Sequence, residues 1–410
     1  MKLIQYPAAI LLDLGDTLMD EGSEVKDPTG TTQSADLLAG TAEALLELHR
    51  QGQRLALVAD AQSETPRNVL RQHGLMGYFE TLAISENVGA EKPAPAIFRQ
   101  ALRNLGIGER DYGRVVMVGN NLERDVVGAN RLGLRSIFFH SNERRRTRVL
   151  NRDEAPRHSV SNAGELVALI KLLGLPVQGA RPPRGAGTSV EHTLAVKHAP
   201  TLCFDREEPF LPEVVGYTVF RREAQSPSFY RRIERDWRPP WVTAIEYAIW
   251  WDWDIQHLYE LEHVWVYLDD ADRVVWVEAS SHGSYASMQR HDGSLALEGE
   301  RPVVYSQPGK HAFAPSPQWF ELFRDAVCNA TGPGAGTDGV LVKPIYAREV
   351  PKNAAADAAA CGWLRQRAFR PSFFFDHAWT PTPEQLVPWP VLDRWIPERL
   401  NWWLGRVDAE

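Results

Sequence analysis

Ala8-Ala9-Ile10-Leu11-Leu12-Asp13-Leu14-Gly15-Asp16-Thr17 opens with an apolar run that stops at an aspartate. Such a run reads as a buried strand with a polar residue at its carboxyl end. The pattern returns twice: Arg54 to Ala59 (RLALVA) is followed by Asp60, and Val115 to Gly119 (VVMVG) by Asn120. Shorter apolar segments lie at Leu82 to Ile84 and Ser136 to Phe139. Helical patterns separate them: Leu45, Leu46 and Leu48 ahead of Gly52, Ser63 to Gly74, Pro95 to Leu105, a stretch ending at Leu132 before Gly133, and Glu165 to Leu173. Strands alternating with helices of this length predict an α/β doubly wound parallel sheet with right-handed crossovers. In such sheets ligands bind beyond the carboxyl ends of the strands.

The polar residues at those ends are Asp13 and Asp16, then Asp60, then Asn120 and Asp125, with Lys92 in the loop GAEKPAPAIF. This set suits covalent phosphoryl chemistry. An aspartate attacks phosphorus, a hard cation neutralises the phosphate oxygens, and a lysine holds the resulting charge. Acidic loop residues are usually just solvated, but an ordered series over successive strand ends is the pattern of a site.

On these residues the chain resembles the haloacid dehalogenase-like hydrolase superfamily, a Rossmann-like fold, over roughly Ala8 to Leu173. In the first motif, D-x-D-x-T, Asp13 falls on the nucleophile and Thr17 on the threonine, while Gly15 stands where phosphatases commonly carry the general acid/base aspartate. The second motif's Ser or Thr is Ala59, followed by Asp60, and the third is kept as Lys92-Pro93. The fourth reads Gly119-Asn120-Asn121-Leu122-Glu123-Arg124-Asp125, with Asn120 in place of a metal-ligand aspartate. The resemblance implies catalytic roles for Asp13, Lys92 and Asp125, with Asp16 a substitute acid if the loop turns it inward. It implies substrate contacts at Thr17, Asp60 and Asn121, and Mg2+ held by Asp13, Asn120 and the carbonyl of Gly15.

The departures act on that chemistry. Gly15 leaves the leaving group without its usual proton donor, a contribution of about 10²–10⁴ in rate. Asn120 removes one negative charge from a site for a hard cation. Between Leu18 and Thr41 the chain is too short for the helical cap many relatives insert. A capless, solvent-open site is therefore expected, with the second half of the chain as candidate lid. The run ERRRTR (Glu143 to Arg148) either steers an anionic substrate or forms a solvated surface.

All 14 tryptophans lie at or after Trp237, and all 3 cysteines lie after residue 200. The asymmetry predicts two separate folds. Gln178 to Ser189 (QGARPPRGAGTS) reads as a linker, which divides the chain into a domain at 1–175, a linker at 176–190 and a second domain at 191–410. His263 to Leu268, Arg273 to Ala279 and Arg301 to Ser306 read as strands, with a hairpin turn at Asp269 to Arg273. A mainly β, sandwich-like domain is expected, with peripheral helices at Pro317 to Val327 and Ala354 to Ala360.

Its acids and histidines form a second candidate site: Asp252, Asp254, His257, Glu262, His282 and His311. Mixed oxygen and imidazole donors suit a second divalent cation. The region from Glu191 to Ala314 also resembles the vacuolar protein-sorting-associated proteins related to necrosis-inducing proteins. The resemblance rests on His198-Ala199-Pro200, Glu208-Pro209-Phe210-Leu211-Pro212, Glu260-Leu261-Glu262-His263-Val264, Ser280-Ser281-His282-Gly283-Ser284 and Gly309-Lys310-His311-Ala312. It implies a divalent cation in an acidic pocket that uses Glu262 and His282.

Composition bounds the rest. The chain has 410 residues, 44% hydrophobic and 24% charged, which describes a globular protein. A formal net charge of -8 argues against a nucleic-acid partner. No apolar run reaches membrane-spanning length, and the cysteines show no disulfide or metal spacing, so a cytoplasmic protein is expected. The expected function is metal-dependent hydrolysis of a phosphate ester through an aspartyl intermediate, on a small-molecule or larger phosphorylated substrate. The alternative is a catalytically degenerate scaffold whose second domain is a metal-dependent ligand-binding module. The oligomeric state is open.

Overall fold

A computed structural model describes residues 6–185, 187–342, 346–347 and 349–407. The chain divides into two units, Met1–Leu175 with Gln225–Arg231, and Pro176–Ala224 with Arg232–Glu410.

The main sheet of the first unit contains β1 (Ala9–Leu12), β2 (Leu55–Ala59), β3 (Phe79–Ile84), β4 (Val115–Gly119), β5 (Arg135–Phe139) and β6 (His158–Val160). Their order is β3-β2-β1-β4-β5-β6, and every pairing is parallel. Ile10, Leu12, Leu57 and Val118 pack with Leu45, Leu166 and Ile170 in one apolar cluster. Their strand neighbours Leu11, Val58 and Met117 pack with Ile97, Phe98 and Leu102 in another. Helices thus cover both faces, which is why these strands read as unbroken apolar runs. The order reverses between β1 and β4, so the loops that follow them open a crevice at the carboxyl edge.

The segment between Leu18 and Thr41 is not a helical cap. It forms a short helical turn at Glu21–Ser23 and a hairpin of Val25–Lys26 with Thr32–Ser34.

The second unit is β-rich. A seven-stranded sheet is centred on Thr243–Trp253 and His257–Leu268, which pair antiparallel along nearly their whole length. A five-stranded sheet contains Thr201–Phe204 and Arg301–Ser306. Every residue of Thr243–Trp253 is buried, so no wet face interrupts its apolar pattern. Trp250 meets Trp395 of helix Trp389–Leu404 at 5.8 Å, while Trp251 turns to the other face and meets Phe204 at 6.4 Å and Phe313 at 6.3 Å. That C-terminal helix has no clear sequence signal because Pro390 and Pro397 fall within it. Proline is tolerated in a first turn, whereas Pro397 removes an internal hydrogen bond that tertiary packing must offset.

The Pro/Gly/Arg segment expected as a linker is held against this unit. Trp395 Nε1 donates to the Gln178 carbonyl at 2.9 Å, Arg399 Nη1 to the Gly179 carbonyl at 3.0 Å, and the Gly185 N–H to the Glu384 carbonyl at 2.8 Å. Buried indole and guanidinium donors need partners, and this strap's carbonyls provide them. Among the described residues no helix is long and apolar enough to cross a membrane.

The aromatic layer sets a stability test. Trp250→Ala should lower the free energy of unfolding by about 3–5 kcal/mol in a denaturant titration. A change within the ~0.5 kcal/mol typical of surface sites would show that Trp250 is not a core residue.

Candidate active site

The strand-end loops of the first unit surround a cavity of about 340 Å³ lined by Asp13, Gly15, Asp60, Lys92, Asn120, Asn121 and Asp125. The hairpin segment adds Glu21, Glu24, Lys26 and Thr32 to the wall, and Arg124 and Arg145 complete it. The expected open site therefore has a wall built from the first unit's own insert.

Lys92 is 4% exposed, and its Nζ lies 2.5 Å from Asp13 Oδ1 and 2.7 Å from Asp125 Oδ1. Burial alone would push this amine toward neutrality, but the charges of Asp125 and Asp13 outweigh it and hold its pKa above the ordinary lysine value. Asp125 moves upward, to about 7, because burial and then the charge of Asp13 disfavour its ionised form more than Lys92 favours it. One cation between two carboxylates leaves the cluster with surplus negative charge.

The local chain builds this cluster. Asp125 Oδ2 accepts the Asn121 N–H at 3.0 Å, and Asn121 Oδ1 accepts the N–H groups of Glu123 and Arg124 at 3.0 and 3.2 Å. A π-helical turn, Leu122–Val126, starts from that cap. A Cβ at residue 119 would lie 2.2 Å from Asp125 Oδ2, so only glycine leaves room for the carboxylate. Asp13 gives Oδ1 to Lys92, and no hydrogen bond to its Oδ2 occurs among the described residues.

The remaining expected residues divide. Asp60 lines the cavity, but its Oδ1 accepts the Lys92 N–H at 2.9 Å and its Oδ2 pairs with Arg124 at 3.0 Å. It secures the lysine loop and carries a compensated charge. Asp16 is fully buried and absent from the cavity wall, with its carboxylate on Arg144 Nη1 at 2.5 Å. It is not turned inward. Thr17 is also buried away from the wall. Asn120 is 4% exposed, and its carboxamide has no hydrogen-bond partner among the described residues. Asn120 lines the cavity with Asp13 and Gly15, and a carboxamide, a carboxylate and a backbone carbonyl offer oxygen donors of the kind that Mg2+ takes.

Residues 7–133 match the family of haloacid dehalogenase-like hydrolases. The ribulose-1,5-bisphosphate 5-phosphatase of Halopiger xanaduensis is 32% identical over 34% of this chain and 58% of its own length. The glyceraldehyde 3-phosphate phosphatase of Methanopyrus kandleri is 30% identical over 32% of this chain and 54% of its own length. Pyrimidine 5'-nucleotidase YjjG of Escherichia coli is 33% identical over 32% of this chain and 55% of its own length. The chain thus spans a little over half the length of these relatives.

In the first unit, sequence reasoning missed Glu21, Glu24 and Lys26, which reach the cavity only through the fold of the insert. Arg124 stood inside the fourth motif, and Arg145 in the arginine run.

The second unit's expected site does not assemble as a whole. Asp252 is salt-bridged to Arg399 of the C-terminal helix, with Nε at 2.8 Å and Nη2 at 2.5 Å, because strand alternation sends it to the same face as Trp250. Glu262 accepts the Ser280 hydroxyl. His282 is exposed and contacts Gln307 at 2.9 Å. His311 is buried, stacks on Trp251 at 4.6 Å and faces Glu208 at 3.3 Å. Asp254 and His257 do meet, joined by Glu260, with ligand atoms within 4.8 Å of one another. His257 Nδ1 lies 2.9 Å from the Tyr259 carbonyl, which can only accept, so Nδ1 carries the proton. Nε2 then faces Asp254 Oδ2 at 3.3 Å and Glu260 Oε2 at 3.9 Å. Lys310 also pairs with Asp254.

Lys92→Met should strand Asp13 and Asp125 in the interior without their cation. A loss of about 3–5 kcal/mol in urea unfolding is expected from breaking such a buried pair. A variant as stable as the unaltered protein would contradict the buried-charge account.

Proposed function

We propose that the first unit hydrolyses phosphate monoesters through an aspartyl phosphate on Asp13. The observation that carries this reading is the Lys92 bridge, which occupies Oδ1 of the cavity-lining Asp13 and leaves Oδ2 without a hydrogen bond among the described residues. In the first step Oδ2 attacks phosphorus and the ester P–O bond breaks. In the second, water attacks the same phosphorus and the Asp13–phosphorus bond breaks. Lys92 orients the attacking carboxylate and balances charge as its negative oxygen becomes the bridging oxygen of an acyl phosphate, a mixed anhydride. Mg2+, held by Asp13, Asn120 and the Gly15 carbonyl, would shield the phosphate oxygens from the nucleophile's charge. The relatives' names support a phosphorylated small molecule as substrate, and the cavity volume suits one.

Asp13→Asn should abolish turnover of an aryl phosphate by at least about 10³-fold while leaving the fold intact by circular dichroism. Asn120→Asp restores a charge to the cation site and should lower the Mg2+ concentration for half-maximal rate by about tenfold. Activity that survives Asp13→Asn would place the chemistry elsewhere.

A second reading concerns the β-rich unit, which we propose is a ligand-binding module using a divalent cation. It keeps the resemblance to vacuolar sorting-associated and necrosis-inducing proteins, and His257 supports it. With Nδ1 holding the proton, its Nε2 lone pair faces two carboxylates, an arrangement that calls for a proton or a metal between them. Calorimetric titration with Mn2+ should lose one binding event in His257→Gln, and an unchanged isotherm would remove this reading.

A further inference from the structure

Gly15 lacks the side chain that would protonate a leaving group, yet the space that side chain would fill is occupied. A Cβ built on Gly15 would lie 2.1 Å from Glu21 Oε1 and 2.9 Å from Glu21 Cδ. The backbone of Gly15 is outside the left-handed region, so it is the Glu21 carboxylate, and not strain, that excludes a side chain there. Glu21 lines the same cavity as Asp13, Lys92 and Asn120. We infer that Glu21 is the general acid and base of this site, delivered from the insert into the position vacated at residue 15. The inference rests on the phosphatase reading above.

The neighbouring residues are arranged to hold it. Asp16 adopts φ +48, a conformation that aspartate tolerates better than most residues, and its Oδ1 accepts the Glu21 N–H at 3.1 Å. Arg144 Nη1 clamps that same Oδ1 at 2.5 Å. Asp16 therefore positions the turn that carries Glu21, which gives a buried charge off the cavity a reason to be there. Arg145 Nη2 lies 3.0 Å from each Glu21 oxygen and also lines the cavity. An anionic ester entering the cavity competes with Glu21 for that guanidinium.

The step balances on named atoms. As the Asp13 Oδ2–phosphorus bond forms and the ester P–O bond breaks, protonated Glu21 gives its proton to the departing alkoxide, which leaves as the alcohol. Glu21, now a carboxylate, takes a proton from water as the water oxygen attacks the aspartyl phosphate. The Asp13 carboxylate is released with inorganic phosphate, and Glu21 is again protonated.

The test is the dependence on leaving group. Turnover of an alkyl phosphate needs the acid, whereas a nitrophenyl phosphate leaves as a stable anion. In Glu21→Gln both rates are measured with Mg2+ present, and the alkyl-to-aryl rate ratio should fall by about 10². An unchanged ratio in a folded variant overturns the assignment, even if both rates fall. If Glu21→Gln does not fold, the double variant Gly15→Asp with Glu21→Ala provides the test. An alkyl-to-aryl ratio within threefold of the unaltered protein supports the shared position, and an aryl-active double variant with no alkyl turnover overturns it. If the unaltered protein hydrolyses neither ester, the phosphatase reading fails and the role of Glu21 falls with it. That result is distinct from an unchanged ratio in an active enzyme.

Discussion

Lys92 holds its ammonium inside the protein between Asp13 and Asp125, at 2.5 and 2.7 Å. Removing such a charge from water is tolerated only when close carboxylates replace the lost hydration, and an unpaired ammonium there would carry a penalty of several kcal/mol. The three loops that meet on this lysine follow different strands of the sheet, so the strand order is what brings the charges together. The pairing also distributes the work. Asp125 has both oxygens engaged, one by Lys92 and one by the Asn121 N–H, whereas Asp13 engages only one.

The cluster carries more negative than positive charge, and this surplus explains much of its surroundings. Burial and Asp13 push Asp125 upward, the expected response of a second carboxylate near one cation. A hard cation on the other side of Asp13 would relieve the same surplus. On the cavity wall two acids are matched by arginines, Asp60 by Arg124 and Glu21 by Arg145. Those partners turn acids that would repel a phosphate into fixed features of the wall. Gly15, Ala59 and Asn120 thus line a cavity whose charge is set by these pairs together.

Much of this was legible in the sequence because the signals are local. An apolar run ending in a polar residue marks both the strand and its chemistry, so Asp13, Asp60, Asn120 and Asp125 could be named together. Lys92 followed from the loop that carries it. Asp16 could not be placed, because its neighbours allow either orientation and the decision belongs to Arg144, more than a hundred residues away. Glu21 had no local signal at all; its role depends on the space beside Gly15. In the β-rich unit, edge histidines looked convergent, but strand alternation sends Asp252 toward Arg399, and His282 lies exposed in the turn that follows its strand. Glu260 joined Asp254 and His257 only once the strand register was known. The C-terminal helix was hidden by its prolines, and the apparent linker by its composition, since neither pattern reports what the backbone carbonyls will bond to.

Covalent phosphorylation of Asp13 can be trapped chemically. Borohydride added during turnover of an aryl phosphate reduces an acyl phosphate to the alcohol, and peptide mass spectrometry then locates the reduced residue. Reduction is expected at Asp13 alone, dependent on substrate and absent in Asp13→Asn. Turnover with no reduced aspartate, or with reduction at Asp16 or Asp125 in place of Asp13, would contradict it.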